Sequence, residues 1–133
     1  KVHSPIIGDG EADIVVAFEK IEGLRCLNYL KEGGILVTDN CEINPMSVLS
    51  GAAEYPHDAI EKMQAVIPNM YVVEASEEAA KLGNPKCSNV ILLGSLAKQL
   101  KLDDIDWKEV VAKTVPAKTV DLNVKAFETG YNM

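Results

Sequence analysis

Ala12-Asp13-Ile14-Val15-Val16-Ala17-Phe18 and, after Glu19 and an amphipathic stretch, Gly33-Gly34-Ile35-Leu36-Val37-Thr38-Asp39-Asn40 decide the fold. A continuous apolar run over 12–18, interrupted only by one acid near its start, reads as a strand buried on both faces, as in a parallel sheet. Ile21, Leu24, Leu27 and Leu30 then recur at near-helical spacing over 20–31. Gly33-Gly34 reads as helix stop and turn, and 35–38 as a second short strand. Strand, amphipathic helix, double glycine, strand is a βαβ unit. It sets the fold class as α/β, a three-layer sandwich around a mostly parallel, Rossmann-like sheet.

Outward from this unit the pattern continues. Pro45, Ser50 and Gly51 break any periodicity over 41–55, which reads as a loop with room for a short edge strand. Pro56 suits the first turn of a helix over 57–67, with Ala59, Ile60, Met63, Val66 and Ile67 on one face. Tyr71 to Val73 is a third strand, and 76–82 a short helix closed by Gly83. A longer helix is predicted over 88–101. Asp106 with Glu109 three residues on resembles a capping box for a helix reaching Ala112. Pro116 introduces the last helix, 117–131, whose Val120, Val124, Phe127 and Tyr131 form an apolar stripe and whose end Gly130 marks. Residues 1–133 read as a single α/β domain. Three strands are fewer than a doubly wound sheet carries, and Lys1 is not a methionine, so an N-terminal portion is expected upstream.

Composition narrows the partners. The 133 residues are 47% hydrophobic and 25% charged, with a net charge of −7, which fits a globular chain able to bury a core. That acidity and the scattered lysines argue against nucleic acid and anionic membranes, and no apolar run is long enough to cross a bilayer. Cys26, Cys41 and Cys87 are odd in number and far apart, which fits a reducing, cytoplasmic setting better than secretion. None of them makes a Cys-x-x-Cys pair, and His3 and His57 lie far from each other. The segment is therefore expected to bind no metal or cluster by itself.

Ligands of open α/β sheets sit outside the carboxyl ends of the strands. That rule points to Glu19 after the first strand and to Asp39-Asn40 after the second. The plainer alternative is that Glu19 opens a helix, where an acid suits the dipole, and that Asp39-Asn40 makes a turn. Asn84-Pro85-Lys86-Cys87-Ser88-Asn89 precedes a helix, so its backbone N–H groups and Lys86 could hold an anion. Its plainer alternative is Ser88 as an N-cap. Cys87 reads as a buried, inert thiol, and Trp107 as a packed residue. No Gly-x-Gly-x-x-Gly and no Gly-x-Ser-x-Gly is present. The residues alone present no self-sufficient active site.

Several stretches, taken in order, resemble a known family. These are Ser4-Pro5-Ile6-Ile7, Gly10 to Glu19, Glu22-Gly23-Leu24-Arg25, Leu30 to Gly34, Gly83-Asn84-Pro85, Asn89, Leu93 to Leu96 and Ala126 to Tyr131. Together they look like the later part of the gamma-type subunit of 2-oxoacid:ferredoxin oxidoreductases, and resemble the indolepyruvate branch more than the pyruvate one. The resemblance implies a subunit of an enzyme that decarboxylates a 2-oxoacid oxidatively to an acyl-CoA and passes electrons to ferredoxin. It further implies that thiamine diphosphate, iron–sulfur clusters and coenzyme A belong to the assembled enzyme, largely to a larger partner subunit. The family's Gly-x-Gly-Gln-Gly opening is not in this sequence, and Cys87 stands where a small residue other than cysteine is expected. Glu19, Asn40, Asn84 and Asn89 are the candidate ligand- or partner-facing residues, none with an acid–base role.

Two other readings remain open on the residues. One is a free-standing Rossmann-type nucleotide-binding enzyme, which would need a glycine-rich loop upstream. The other is a non-catalytic oligomerisation or regulatory module, with the apolar stripe of 117–131 as its interface.

Overall fold

A computed structural model of the chain describes residues 6–133; Ser4-Pro5 and His3 lie outside the described residues. The chain divides into two compact units, one running to Val72 and one from Val73 to Met133.

The first unit holds the sheet. β1 (Ala12–Ala17) and β2 (Leu30–Asp39) are parallel, with Ile14 opposite Ile35 and Ala17 opposite Thr38, and the strand order is β1-β2-β3 with β3 at Met70–Val73. The α/β class and the parallel sheet are thus as the sequence predicts. Central β2 is the most buried strand: Leu36, Val37 and Thr38 are wholly enclosed. Leu36 and its register partner Val15 share a face, and with Leu30 and Met63 they build a core over which α1 (Lys20–Arg25) and α3 (Ala59–Gln64) lie. Gly23 lets α1 approach closely: a Cβ there would stand 3.3 Å from both Ala17 and Thr38.

Three expectations about this unit need correction. The helix predicted over 20–31 ends at Arg25, a 3-10 turn covers Leu27–Tyr29, and β2 begins at Leu30 instead of residue 35. Gly33-Gly34 is therefore not the helix stop but part of a bulge in β2, where four residues separate two ladder pairs that one residue separates in β1. Gly33 adopts φ 76°, and a Cβ on Gly34 would meet Leu30 Cδ1 at 2.6 Å and the Asp13 carbonyl oxygen at 3.0 Å. Both positions demand glycine. The edge strand allowed for within 41–55 is instead a short helix, α2 (Met46–Leu49).

The second unit is helical beyond Val73. It comprises α4 (Ala75–Lys81), α5 (Ser88–Gln99), α6 (Trp107–Thr114) and α7 (Val120–Tyr131). Asp106 caps α6 by accepting from the Glu109 N–H at 3.1 Å, as its spacing predicts. Gly130 does not end the last helix; α7 runs through it. A Cβ on Gly130 would collide with the Ile91 carbonyl of α5, and one on Gly94 with the Phe127 carbonyl of α7. The two helices cross backbone to backbone at these glycines. The stripe of α7 is not a bare face either. Phe127 is buried with Ala97 and Val111, and its ring stacks between Trp107 at 5.0 Å and Tyr131 at 5.9 Å.

No helix among the described residues is long and apolar enough to cross a membrane.

Candidate functional site

The carboxyl ends of β1 and β2 are tied together before any ligand is considered. Beyond the last register pair, Ala17 with Thr38, the Cys41 thiol donates to the Phe18 carbonyl at 3.1 Å, and the Lys20 N–H donates to the Cys41 carbonyl at 3.4 Å. Glu19 organises this end. Its backbone is extended, so its side chain folds forward onto α1, where Oε2 accepts from Ile21 N at 2.8 Å and Glu22 N at 3.1 Å. Its other oxygen accepts from the Tyr55 hydroxyl and from Ile43 N at 3.4 Å. A carboxylate only 5% exposed is tolerable because donors surround it. Burial, then the bond to Glu19, push the Tyr55 hydroxyl well above its ordinary pKa.

Lys20 follows at the first helical position, where a cation is disfavoured by the helix dipole. Its side chain is 9% exposed, and its ammonium lies 2.5 Å from Oε1 of Glu42 and 5.7 Å from the centre of the Tyr55 ring. His57 Nδ1 reaches the same Glu42 oxygen at 3.2 Å, and its ring lies against that of Tyr55 at 5.2 Å. Lys20 first, and His57 second, hold the Glu42 carboxyl below the ordinary carboxylate range. Glu42, Asn44, Val48, Tyr55 and His57 help to line an open depression of about 420 Å³. The arrangement presents a fixed cation, a paired carboxylate and an oriented phenol; among the described residues no group of three or more His, Cys, Asp or Glu side chains could hold a metal.

Of the candidate residues, Glu19 and Asn40 each stand two residues past the last register pair, at the same end of the sheet. Asn40 is half-buried. Asn84 and Asn89 belong to the second unit. Asn84 is half-buried, and its Oδ1 accepts from Lys86 N at 3.1 Å, capping a 3-10 turn over Pro85–Cys87. Asn89 is exposed on the first turn of α5. Ser88 is not the N-cap of α5 but its first residue: Cys87 holds the cap position without a side-chain bond, and Asn84 caps only the preceding 3-10 turn. Cys87 is 2% exposed and burial raises its pKa, as expected of an inert thiol.

Lys20, Glu42, Tyr55 and His57 were not among the sequence candidates. One signal does exist for Lys20: a lysine directly after a strand, at the start of a helix, needs a nearby anion. Nothing local marks Glu42, Tyr55 or His57, which lie in an irregular stretch.

The model of the family described as pyruvate ferredoxin/flavodoxin oxidoreductase matches residues 1–133. The chain belongs to that family. Similar curated proteins include indolepyruvate oxidoreductase subunit IorB of Thermococcus kodakarensis and that of Pyrococcus horikoshii. Each is 35% identical over 136 residues, covering 97% of this chain and 66% of the relative. The corresponding protein of Archaeoglobus fulgidus is 34% identical, over 98% of this chain and 67% of its own. Among solved structures, the gamma subunit of a keto/oxoacid ferredoxin oxidoreductase from Geobacter sulfurreducens is similar with a TM-score of 0.64. It is 22% identical, over 96% of this chain and 66% of that one, a likeness of fold. The chain thus spans about two thirds of the length of the relatives it matches. The resemblance read from the ordered motifs is the family to which the chain belongs.

Proposed function

We propose that this chain serves as the small, gamma-type subunit of a 2-oxoacid:ferredoxin oxidoreductase of the indolepyruvate kind. The observation that carries the reading is the end-to-end family match, together with relatives at 34–35% identity that bear the indolepyruvate subunit name. In this reading the assembled enzyme decarboxylates an aryl 2-oxoacid to its acyl-CoA and passes two electrons to ferredoxin. A larger subunit carries thiamine diphosphate and the iron–sulfur clusters, coenzyme A binds in the assembly, and the complex works in the cytoplasm. Residues 1–133 act together as one domain of that subunit.

Apolar surface beside the strand ends supports a role within a complex. Ile43, Met46 and Leu49 are each about two-thirds exposed or more, and Phe18 is 56% exposed; side chains of this kind are enriched at subunit interfaces. Asn40 and Asn89 are proposed to face the partner or ligand, while Glu19 and Asn84 hold the backbone turns beside them.

The test is affinity purification of the tagged chain from its own cells, lysed without oxygen, with mass spectrometry of what accompanies it. A large chain with thiamine-binding and cluster-cysteine motifs, recovered near one to one, is the expected result. A chain that elutes alone overturns the reading and favours a free-standing nucleotide-binding protein.

A further inference from the structure

The pair Lys20–Glu42 has an asymmetry that a purely structural ion pair does not need. The Lys20 side chain is nine-tenths buried, whereas its counter-ion comes from a loop residue whose side chain is 38% exposed. That carboxylate also lines the open depression beside α2 and takes a second contact from His57 through the same oxygen. A buried ammonium requires an anion at this place, but it does not require that the anion be covalently attached.

We propose that Lys20 and His57 form a binding site for the carboxylate of a small organic acid, with Glu42 as a tethered occupant that the acid displaces. The exchange is balanced in charge: one carboxylate leaves the ammonium for water as another arrives. Tyr55, whose hydroxyl is tied to Glu19, supplies a rigid wall on one side. Val48 and Ala53, also at the depression, offer apolar contact for a short carbon skeleton. A volume of about 420 Å³ lies within the range of small-molecule sites. Tethering gives Glu42 a high effective concentration, so the external acid binds weakly to the native protein and more tightly when Glu42 is removed.

The test uses the purified protein with whatever subunits accompany it, titrated calorimetrically with sodium acetate against sodium chloride at equal ionic strength. Weak saturable binding is expected in the native protein, with binding about tenfold tighter in Glu42→Ala. Acetate, and not chloride, should restore the melting temperature that Glu42→Ala loses. Adding Lys20→Gln to Glu42→Ala should abolish the binding. Should that double variant fail to fold, Glu42→Ala with His57→Gln takes its place and should show clearly weakened binding. Equal affinity in native and Glu42→Ala protein, no saturation in either, or undiminished binding without His57 overturns the proposal. Acetate is not a 2-oxoacid and the comparison is between variants of this site, so failure here leaves the oxidoreductase-subunit reading standing.

Discussion

The Tyr55 hydroxyl donates to one oxygen of Glu19 while the other oxygen of that carboxylate caps α1, so one buried acid joins segments 36 residues apart. Removing Glu19 strands the Tyr55 hydroxyl, whereas removing the hydroxyl takes one donor from a carboxylate that keeps three others. Glu19→Ala should cost about 2–4 kcal/mol, from the lost cap and the stranded hydroxyl. Tyr55→Phe should cost about 1–3 kcal/mol, since the carboxylate keeps its backbone donors. The double variant should fall short of additivity by about 0.5–3 kcal/mol. Urea denaturation of the three variants measures this directly; additive losses would show that the contact carries no energy of its own.

Much of this architecture was legible in sequence because it rests on local signals. The strand within 12–18 and the Asp106–Glu109 spacing each depend on neighbours a few residues away, and both are where the pattern puts them. β1 nevertheless stands at the edge of the described sheet with only Ala17 buried, not buried on both faces as the apolar run suggests. The errors arise where a distant partner decides. Gly33-Gly34 looks like a helix stop, yet its role is set by the Asp13 carbonyl across the ladder. Gly130 looks like a terminator, yet α5 sets its role through Ile91. The same holds at the candidate site. Glu19 is visible from its place after a strand, whereas Tyr55 meets it, Glu42 meets Lys20 and His57 meets Glu42 only through loops that carry no periodicity.

The crossing of α5 and α7 yields a sharp expectation. At Gly130 and Gly94 a methyl group would overlap carbonyl backbone of the other helix, which cannot swing aside as a side chain can. Alanine is ordinarily the better helix former by about 1 kcal/mol. Here its gain is overridden by separation of the helices, and overpacking of this kind costs about 1–3 kcal/mol or more. Gly130→Ala and Gly94→Ala should each lower the melting temperature, as read by circular dichroism. An unchanged or raised value for either would mean that the helices do not cross this closely.

The ion pair of Glu42 predicts a particular pH dependence. The Glu42 carboxyl is held below its ordinary value of 4.5, first by Lys20 and then by His57. A depressed folded pKa means that the unfolded chain binds the proton more readily, so stability from this group is present above pH 4.5 and is lost as pH falls through the folded value. Glu42→Gln should therefore be less stable than the native protein at neutral pH. The difference should shrink on acidification below 4.5 and vanish once the native carboxyl is protonated. Denaturation midpoints across that window check the sign; a gap that widens toward acid would exclude a depressed Glu42.

Thiol reactivity separates Cys87 from the other two cysteines. Cys87 is 2% exposed, with its sulfur 3.9 Å from Oδ1 of Asn123, and burial disfavours its thiolate. Since the thiolate is the reactive form, both access and ionisation work against it. Cys26 and Cys41 are half-buried in the first unit. With iodoacetamide at neutral pH, Cys26 and Cys41 should be modified first, and Cys87 only at the rate at which its surroundings open. Denaturant should bring all three to a common rate. Peptide mapping over the time course reads this, and early labelling of Cys87 would mean that the packing of the 3-10 turn Pro85–Cys87 against α7 is looser than its geometry requires.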